Sequence, residues 1–200
     1  MPMDMDMDAA RMSLGALFAM WTAMMAIMML PGAMPTILQY AGGVTRRAFA
    51  LGYLAVWTGF SACVALLQWW LERSELLSEN MVLRSTIAAG IIVVAVGVYQ
   101  ATPWKRRFLL QCRVRPPAQA GIRGAAGMRA GLRYGFACLG SSAALMALLF
   151  VVGVMSWPWI LAIAAWVLVE KRLPWGAGMA RLGAIGLVGW GGWLLALSQA

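Results

Sequence analysis

The sequence predicts an all-α, polytopic membrane protein, a bundle of about six transmembrane helices with both termini outside the cytoplasm. Two observations support this fold class. The 200-residue chain is 62% hydrophobic and 12% charged, with a mean hydropathy of +0.77, whereas soluble domains are closer to half apolar and a quarter charged. Its basic residues also sit in short loops between apolar runs, which is how membrane proteins fix their orientation. The net charge of +9 therefore does not indicate nucleic acid, and we expect no such partner.

Three apolar runs in the first half of the chain predict spanning helices. A transmembrane helix needs about 20 mostly apolar residues. Residues 12–31, with a more polar continuation to residue 40, meet this requirement, as do residues 48–71 and 85–104. Residues 105–133 are basic and rich in Gly and Pro, so they predict a cytoplasmic loop with one amphipathic turn.

The second half of the chain contains an apolar run that is too long for one crossing. Residues 134–169 would form a helix of about 54 Å, against a hydrocarbon core of about 30 Å. We therefore expect a hairpin of two helices that turns at residues 156–159, where the sequence is Ser-Trp-Pro-Trp. Residues 178–198 predict the last span. Five spans are the alternative, if the short fifth segment is re-entrant.

The basic residues predict the orientation. Thirteen of the 16 fall in three alternate loops, which places those loops in the cytoplasm. They are Arg46, Arg47, Lys105, Arg106, Arg107, Arg113, Arg115, Arg123, Arg129, Arg133, Lys171, Arg172 and Arg181. Six of the seven acidic residues lie on the other side. We therefore divide the chain into an extracytoplasmic Met/Asp-rich tail, residues 1–11, and a single transmembrane domain, residues 12–200.

Methionine is unusually frequent, with 16 copies. In the tail, Met3, Met5 and Met7 alternate with aspartates; in the first helix, Met24, Met28 and Met29 lie close together. Thioethers are soft ligands that select Cu(I). These six methionines therefore predict capture and delivery of copper from the extracytoplasmic side. The alternative is that the helical methionines fill packing gaps and that those of the tail are incidental to a disordered terminus.

The remaining reactive side chains are sparse. Cys63, Cys112 and Cys138 are far apart and form no Cys-x-x-Cys pair, so each alone reads as a small apolar residue. The chain has no histidine, the commonest metal ligand and general base. Glu170 and Lys171 predict a local ion pair at the end of the fifth helix. Because the sequence shows no catalytic set, we expect a protein that is not an enzyme.

Several motifs together resemble a bacterial family of predicted metal-binding integral membrane proteins, an uncharacterised domain often labelled a copper chaperone. The resemblance runs from about residue 14 to residue 175. Its motifs are met by Trp21, Met24, Met28, Met29 and Pro31; by Tyr53 and Trp57; by Tyr99, Gln100, Thr102, Pro103, Lys105, Cys112 and Arg113; by Gly131, Gly135, Cys138, Leu139, Gly140 and residues 144–150; and by Glu170, Lys171, Pro174, Trp175 and Gly176.

The chain departs from that family at one cluster. Its members usually have a histidine where Tyr134 stands and Cys-Cys-Trp where Ser141, Ser142 and Ala143 stand. If the family's cluster holds the metal, the resemblance implies that Cys138 is the ligand retained here. The site would then be rebuilt on methionine and Cys138, or the chain would have lost its metal.

These observations favour a multi-pass protein of the bacterial inner membrane that binds Cu(I) and passes it to a partner. The expected metal ligands are Met3, Met5, Met7, Met24, Met28, Met29 and Cys138. The expected partners are the lipid bilayer and another membrane protein or complex. The alternative is a metal-free accessory subunit of a larger membrane complex. A transporter is a third and weaker option, because no charged residue stands out mid-helix to mark an ion path.

Overall fold

The computed structural model describes residues 12–40, 42–77, 82–113, 124–154, 156–173 and 175–198. Over these residues the fold is all-α, as predicted, with one isolated β-bridge between Leu77 and Leu83. The helices are α1 (Leu14–Gln39), α2 (Gly43–Arg73), α3 (Thr86–Ala101), α4 (Pro103–Arg113), α5 (Gly124–Ala147, extended by the turn Leu149–Val152), α6 (Trp157–Arg172) and α7 (Gly176–Leu197).

Four of the described helices are long and apolar enough to cross a membrane, and a bent pair would make five. The four are Leu14–Gln39, Gly43–Arg73, Gly124–Val152 and Gly178–Leu197. The bent pair is α3 and α4, whose axes meet at 61°. Helix α6 has 16 residues, about 24 Å at 1.5 Å per residue, and so is shorter than a hydrocarbon core of about 30 Å. Six spans and the placement of the termini therefore stay predictions.

The helix boundaries follow from local sequence signals. Ser13 caps α1, since its hydroxyl accepts a hydrogen bond from the Ala16 amide at 3.2 Å. Pro103 separates α3 from α4, because proline cannot continue the hydrogen-bonding of the preceding helix. The long apolar run after α5 is interrupted at Gly153, with φ of 101°, and α6 begins at Trp157. The break in residues 134–169 that the length argument predicts is thus present, but it lies just before the predicted turn at residues 156–159, because Trp157, Pro158 and Trp159 already belong to α6.

The loop predicted at residues 105–133 is helical at both ends. Helix α4 covers its first part and α5 begins at Gly124, ten residues earlier than the predicted span. The prediction treated this basic segment as a solvent-exposed loop. In the structure Lys105 is 1% exposed, and Leu109 and Cys112 are also buried. Helix α4 therefore packs into the bundle with one face, mainly against α5, and it carries a cysteine into the interior.

Two close helix pairs organise the bundle, α2 with α5 and α3 with α7. Glycines allow the backbones to approach. A Cβ on Gly131 of α5 would overlap the carbonyl oxygen of Phe49 in α2, and one on Gly97 of α3 would lie 2.9 Å from the backbone nitrogen of Val188 in α7. Small residues at such crossings are typical of membrane helix pairs. Helix α1 packs on α2 and α6, so α1, α2, α4, α5 and α6 surround one interior region.

Candidate functional site

A cluster of sulfur atoms lies in the interior, where helices α1, α5 and α6 meet. Cys138 of α5 is 3% exposed and Met29 of α1 is 2% exposed. The Lys171 ammonium of α6 lies between them, with Nζ 2.8 Å from Cys138 Sγ and 4.0 Å from Met29 Sδ. Both sulfurs are therefore grouped around a single position, and that position holds a positive charge.

A second thiol reaches this cluster from α4. Cys112 is 8% exposed, and its thiol lies within interaction range of the Cys138 thiol. Its Sγ is also 3.8 Å from the hydroxyl oxygen of Ser141. The cluster therefore contains three sulfurs on three helices, namely Met29, Cys112 and Cys138. We call these three residues the sulfur site.

Tyrosine and serine side chains form the walls of the sulfur site. The Tyr53 hydroxyl lies 3.1 Å from the Met29 carbonyl oxygen and 3.3 Å from Cys138 Sγ, so it links the two residues. The Tyr134 ring contacts the Tyr53 ring at a tilt of 45°, with ring centroids 5.8 Å apart. Ser141 and Ser142 both donate to the Cys138 carbonyl oxygen, at 2.8 and 2.7 Å. Their hydroxyls are thereby engaged with the backbone of α5.

A charged network beside the sulfur site fixes the end of α6. Glu170 is 1% exposed and accepts from Lys105 Nζ at 2.6 Å, from Trp166 Nε1 at 2.8 Å and from Gln100 Nε2 at 3.2 Å. Arg113 donates to the carbonyl oxygens of Glu170, at 2.6 Å, and of Leu173. These contacts join α6 to α3 and α4. The predicted pairing of Glu170 with Lys171 was wrong, because Glu170 turns to Lys105 and Lys171 turns to Cys138.

The network also revises the expectation that the helices bury no charged residue. Lys105 and Glu170 are both fully inside the protein, and they form an ion pair between α4 and α6. Their burial is compensated by each other and by the neighbouring donors, as buried charges require. They lie beside the sulfur site and do not contact its sulfurs. We therefore interpret the pair as a structural contact that holds α6 in place.

The predicted metal ligands fall into three groups. Met29 and Cys138 are brought together in the sulfur site. Met24 and Met28 lie on another side of α1, where with Met20 they line an apolar groove of about 540 Å³ between α1 and α6. The split follows helical geometry, since residues spaced by four share a face and Met29 belongs to the buried row of Trp21 and Met25. Met3, Met5 and Met7 lie outside the described residues.

Two residues of the cluster were absent from the predicted ligand set, Cys112 and Lys171. Cys112 was assigned to a loop, and Lys171 was assigned to its sequence neighbour. Both stand in motifs that carry the family resemblance, the first before Arg113 and the second after Glu170. The family motifs therefore indicate both residues as candidates, although they do not show that the two residues lie close together in the structure.

The sulfur site has the chemistry of a soft-metal site. Thiolate and thioether are the protein ligands that select Cu(I) over harder ions, and here they come from three helices that the packing holds in place. Among the described residues there is no group of three or more His, Cys, Asp and Glu side chains that could hold a metal. The site fits a soft monovalent ion because its third donor is the thioether of Met29.

Comparison with known proteins identifies one relationship. A family model described as "PpoB2: Copper chaperone" matches residues 18–194, which is most of the chain. Neither the curated proteins nor the solved structures give a match.

Proposed function

Because the chain belongs to the PpoB2 copper chaperone family, we propose that it binds one Cu(I) ion within the membrane and delivers it to a partner protein. The observation that carries this proposal is the convergence of Met29, Cys112 and Cys138 on one buried position. Copper is the cargo of the protein in this proposal, and the three sulfurs are its ligands.

The donor set suits a carrier. Thiolates are the ligating form of cysteine, so capture of Cu(I) displaces the protons of any thiol that binds it. Transfer to a partner then requires only that sulfur ligands of the partner replace those of the sulfur site in turn. No bond of an organic substrate is made or broken. We therefore propose a non-enzymatic role, as a chaperone or assembly factor.

We place this activity in a bacterial inner membrane, with another membrane protein or complex as the recipient. The apolar length of α1, α2 and α5 and the grouping of basic residues in alternate loops support the placement. The groove that contains Met20, Met24 and Met28 lies between α1 and α6, the two helices that carry Met29 and Lys171, and this supports an approach of the ion along α1 to the sulfur site. In this arrangement the tail methionines Met3, Met5 and Met7 would capture the ion first.

Copper loading of purified protein tests the proposal. Protein in mild detergent is incubated anaerobically with excess Cu(I), freed of unbound metal, and assayed for copper per chain. We expect about one equivalent in the wild type and large losses in Cys138→Ser, Cys112→Ser and Met29→Leu. The matched controls are Cys63→Ser, an exposed cysteine of α2, and Met25→Leu, a buried methionine one turn from Met29. Both controls should load normally.

A metal-free accessory subunit is the second candidate function. It is favoured by Ser141 and Ser142, which stand where the resembling family usually has cysteines and whose hydroxyls are used on the Cys138 carbonyl oxygen. This candidate predicts no copper in the wild type and stable co-purification with a larger membrane complex. Copper retention equal in the wild type and in the Cys112→Ser/Cys138→Ser double variant would refute the sulfur site as its location.

A further inference from the structure

The ammonium group of Lys171 lies at the position around which the sulfur site is arranged. Its Nζ is within 4.0 Å of both Met29 Sδ and Cys138 Sγ. Its neighbour in sequence, Glu170, is held by Lys105. In the described part of the chain, Lys171 has no carboxylate within salt-bridge distance, so its charge is directed at sulfur.

We propose that Lys171 is a placeholder cation that competes with Cu(I) for the sulfur site. The ammonium and the cuprous ion are both monovalent, and each would neutralise the Cys138 thiolate. Cu(I) binding would require the Lys171 head group to leave the sulfurs, and its return would help to expel the ion towards the recipient. This inference rests on the proposed function, and it assigns Lys171 a part in tuning release.

The exchange would need only the Lys171 side chain to move, because the backbone that carries it is held in place. The backbone of α6 is held by the Glu170 contacts with Lys105, Gln100 and Trp166. Lys171 itself is only partly buried and lies in the last turn of α6. Its four-carbon stem is flexible and its ammonium favours a hydrated position, so we expect the head group to rotate away from the sulfurs towards the last turn of α6, where Arg172 is exposed.

The sign of the effect on affinity follows from linkage. An interaction that is made only when copper is not bound stabilises that state and weakens copper binding by the same factor. If the ammonium leaves the sulfurs for roughly 1–10% of the time, its removal raises the apparent affinity by about ten- to a hundredfold. A lysine that instead supported the bound ion would have the opposite effect, since its loss would weaken binding.

Variants of the two adjacent cations provide the test. Cu(I) affinity and release rate are measured by competition with a chromophoric Cu(I) chelator for the wild type, Lys171→Gln and Arg172→Gln. Arg172 is the matched control, because it carries the same charge one residue away and donates to the Pro31 carbonyl oxygen instead. We expect Lys171→Gln to bind about ten- to a hundredfold more tightly and to release more slowly, with Arg172→Gln within about twofold of the wild type.

Equal or weaker binding by Lys171→Gln would overturn the inference while leaving the proposed function intact. Failure of the wild type to bind Cu(I) at all would instead refute the proposed function. A measurement on the wild type guards against misfolding of the variant. The sequence has two lysines, Lys105 and Lys171, so acylation by an amine reagent can be followed at each by peptide mass spectrometry. Copper loading should accelerate acylation of Lys171 relative to Lys105, and an unchanged ratio would also overturn the inference.

Discussion

The buried ion pair between Lys105 and Glu170 yields the sharpest prediction for stability. Glu170→Gln keeps the shape of the side chain and removes its charge, which leaves the Lys105 ammonium buried without a counter-charge. Lys105 is 1% exposed and its Nζ lies 2.6 Å from the carboxylate. Breaking a buried pair by removing one partner destabilises proteins by about 3–5 kcal/mol, and we expect a loss of that size in the free energy of unfolding.

A double-mutant cycle separates the pair from its surroundings. Lys105→Met alone should also destabilise the protein, because it removes the ammonium that faces the buried Glu170 carboxylate and leaves the neutral donors Trp166 and Gln100 there. The double variant Lys105→Met/Glu170→Gln removes both charges of the pair. Since replacing both partners of a buried pair is often close to neutral, we expect the double variant to recover most of the stability that either single variant loses.

The assay is reversible unfolding in mixed micelles with increasing dodecyl sulfate, followed by tryptophan fluorescence, with the wild type and the three variants measured in parallel. Arg172→Gln, which alters an exposed charge on the same helix end, is the control and should shift the midpoint little. Additive losses in the double variant would refute the reasoning, since they would mean that Lys105 and Glu170 contribute independently. So would a Glu170→Gln variant as stable as the wild type.

Two further predictions concern helix packing and topology. Gly131→Ala should destabilise the protein by about 1–3 kcal/mol through overpacking of α5 against the α2 backbone, whereas Gly186→Ala, where the added Cβ meets no described atom within 4 Å, should unfold at the wild-type midpoint or above it. Equal effects of the two changes would contradict the close α2–α5 crossing. An even number of spans places both termini on one side, so alkaline phosphatase fused after Ala200 should be active and an insertion within residues 114–123 inactive. Activity at neither place would indicate five spans.

The all-α fold was predictable because long apolar runs of about 20 residues favour helices. The apolar runs that correspond to α1, α2 and α7 were placed with small errors at their ends. Residues 105–133 were misjudged because a basic segment reads as a loop when its partners are unknown. Lys105 can be buried because Glu170, 65 residues later in the sequence, pairs with it. A contact between residues so far apart cannot be predicted from the local sequence around either one.

Two of the four residues of the candidate site could be predicted from the sequence, and the other two could not, because their contacts are also between distant residues. Cys138 and Met29 could be singled out, the first through the family resemblance and the second through the methionine row on the first helix. Cys112 and Lys171 are contributed by two other helices. Sequence spacing predicts which residues share one helix face, but it does not predict that residues of four different helices meet. The predicted methionine ligands of the first helix lie on two faces of α1. Met29 faces the sulfur site, whereas Met24 and Met28 face the groove.

The end of α6 shows how one dipeptide serves two purposes. Successive residues on a helix point about 100° apart and do not face each other, so Glu170 and Lys171 are placed to meet different partners. Glu170 joins the fixed network that holds α6 to α3 and α4, and this network sets the position of the Cα atom of Lys171. The movable cation thus extends from a fixed base. For this reason Glu170→Gln should lower the stability of the protein and also weaken the preference of the Lys171 ammonium for its position beside the sulfurs. Under conditions where both variants remain folded, the copper affinity of Glu170→Gln should shift towards that of Lys171→Gln.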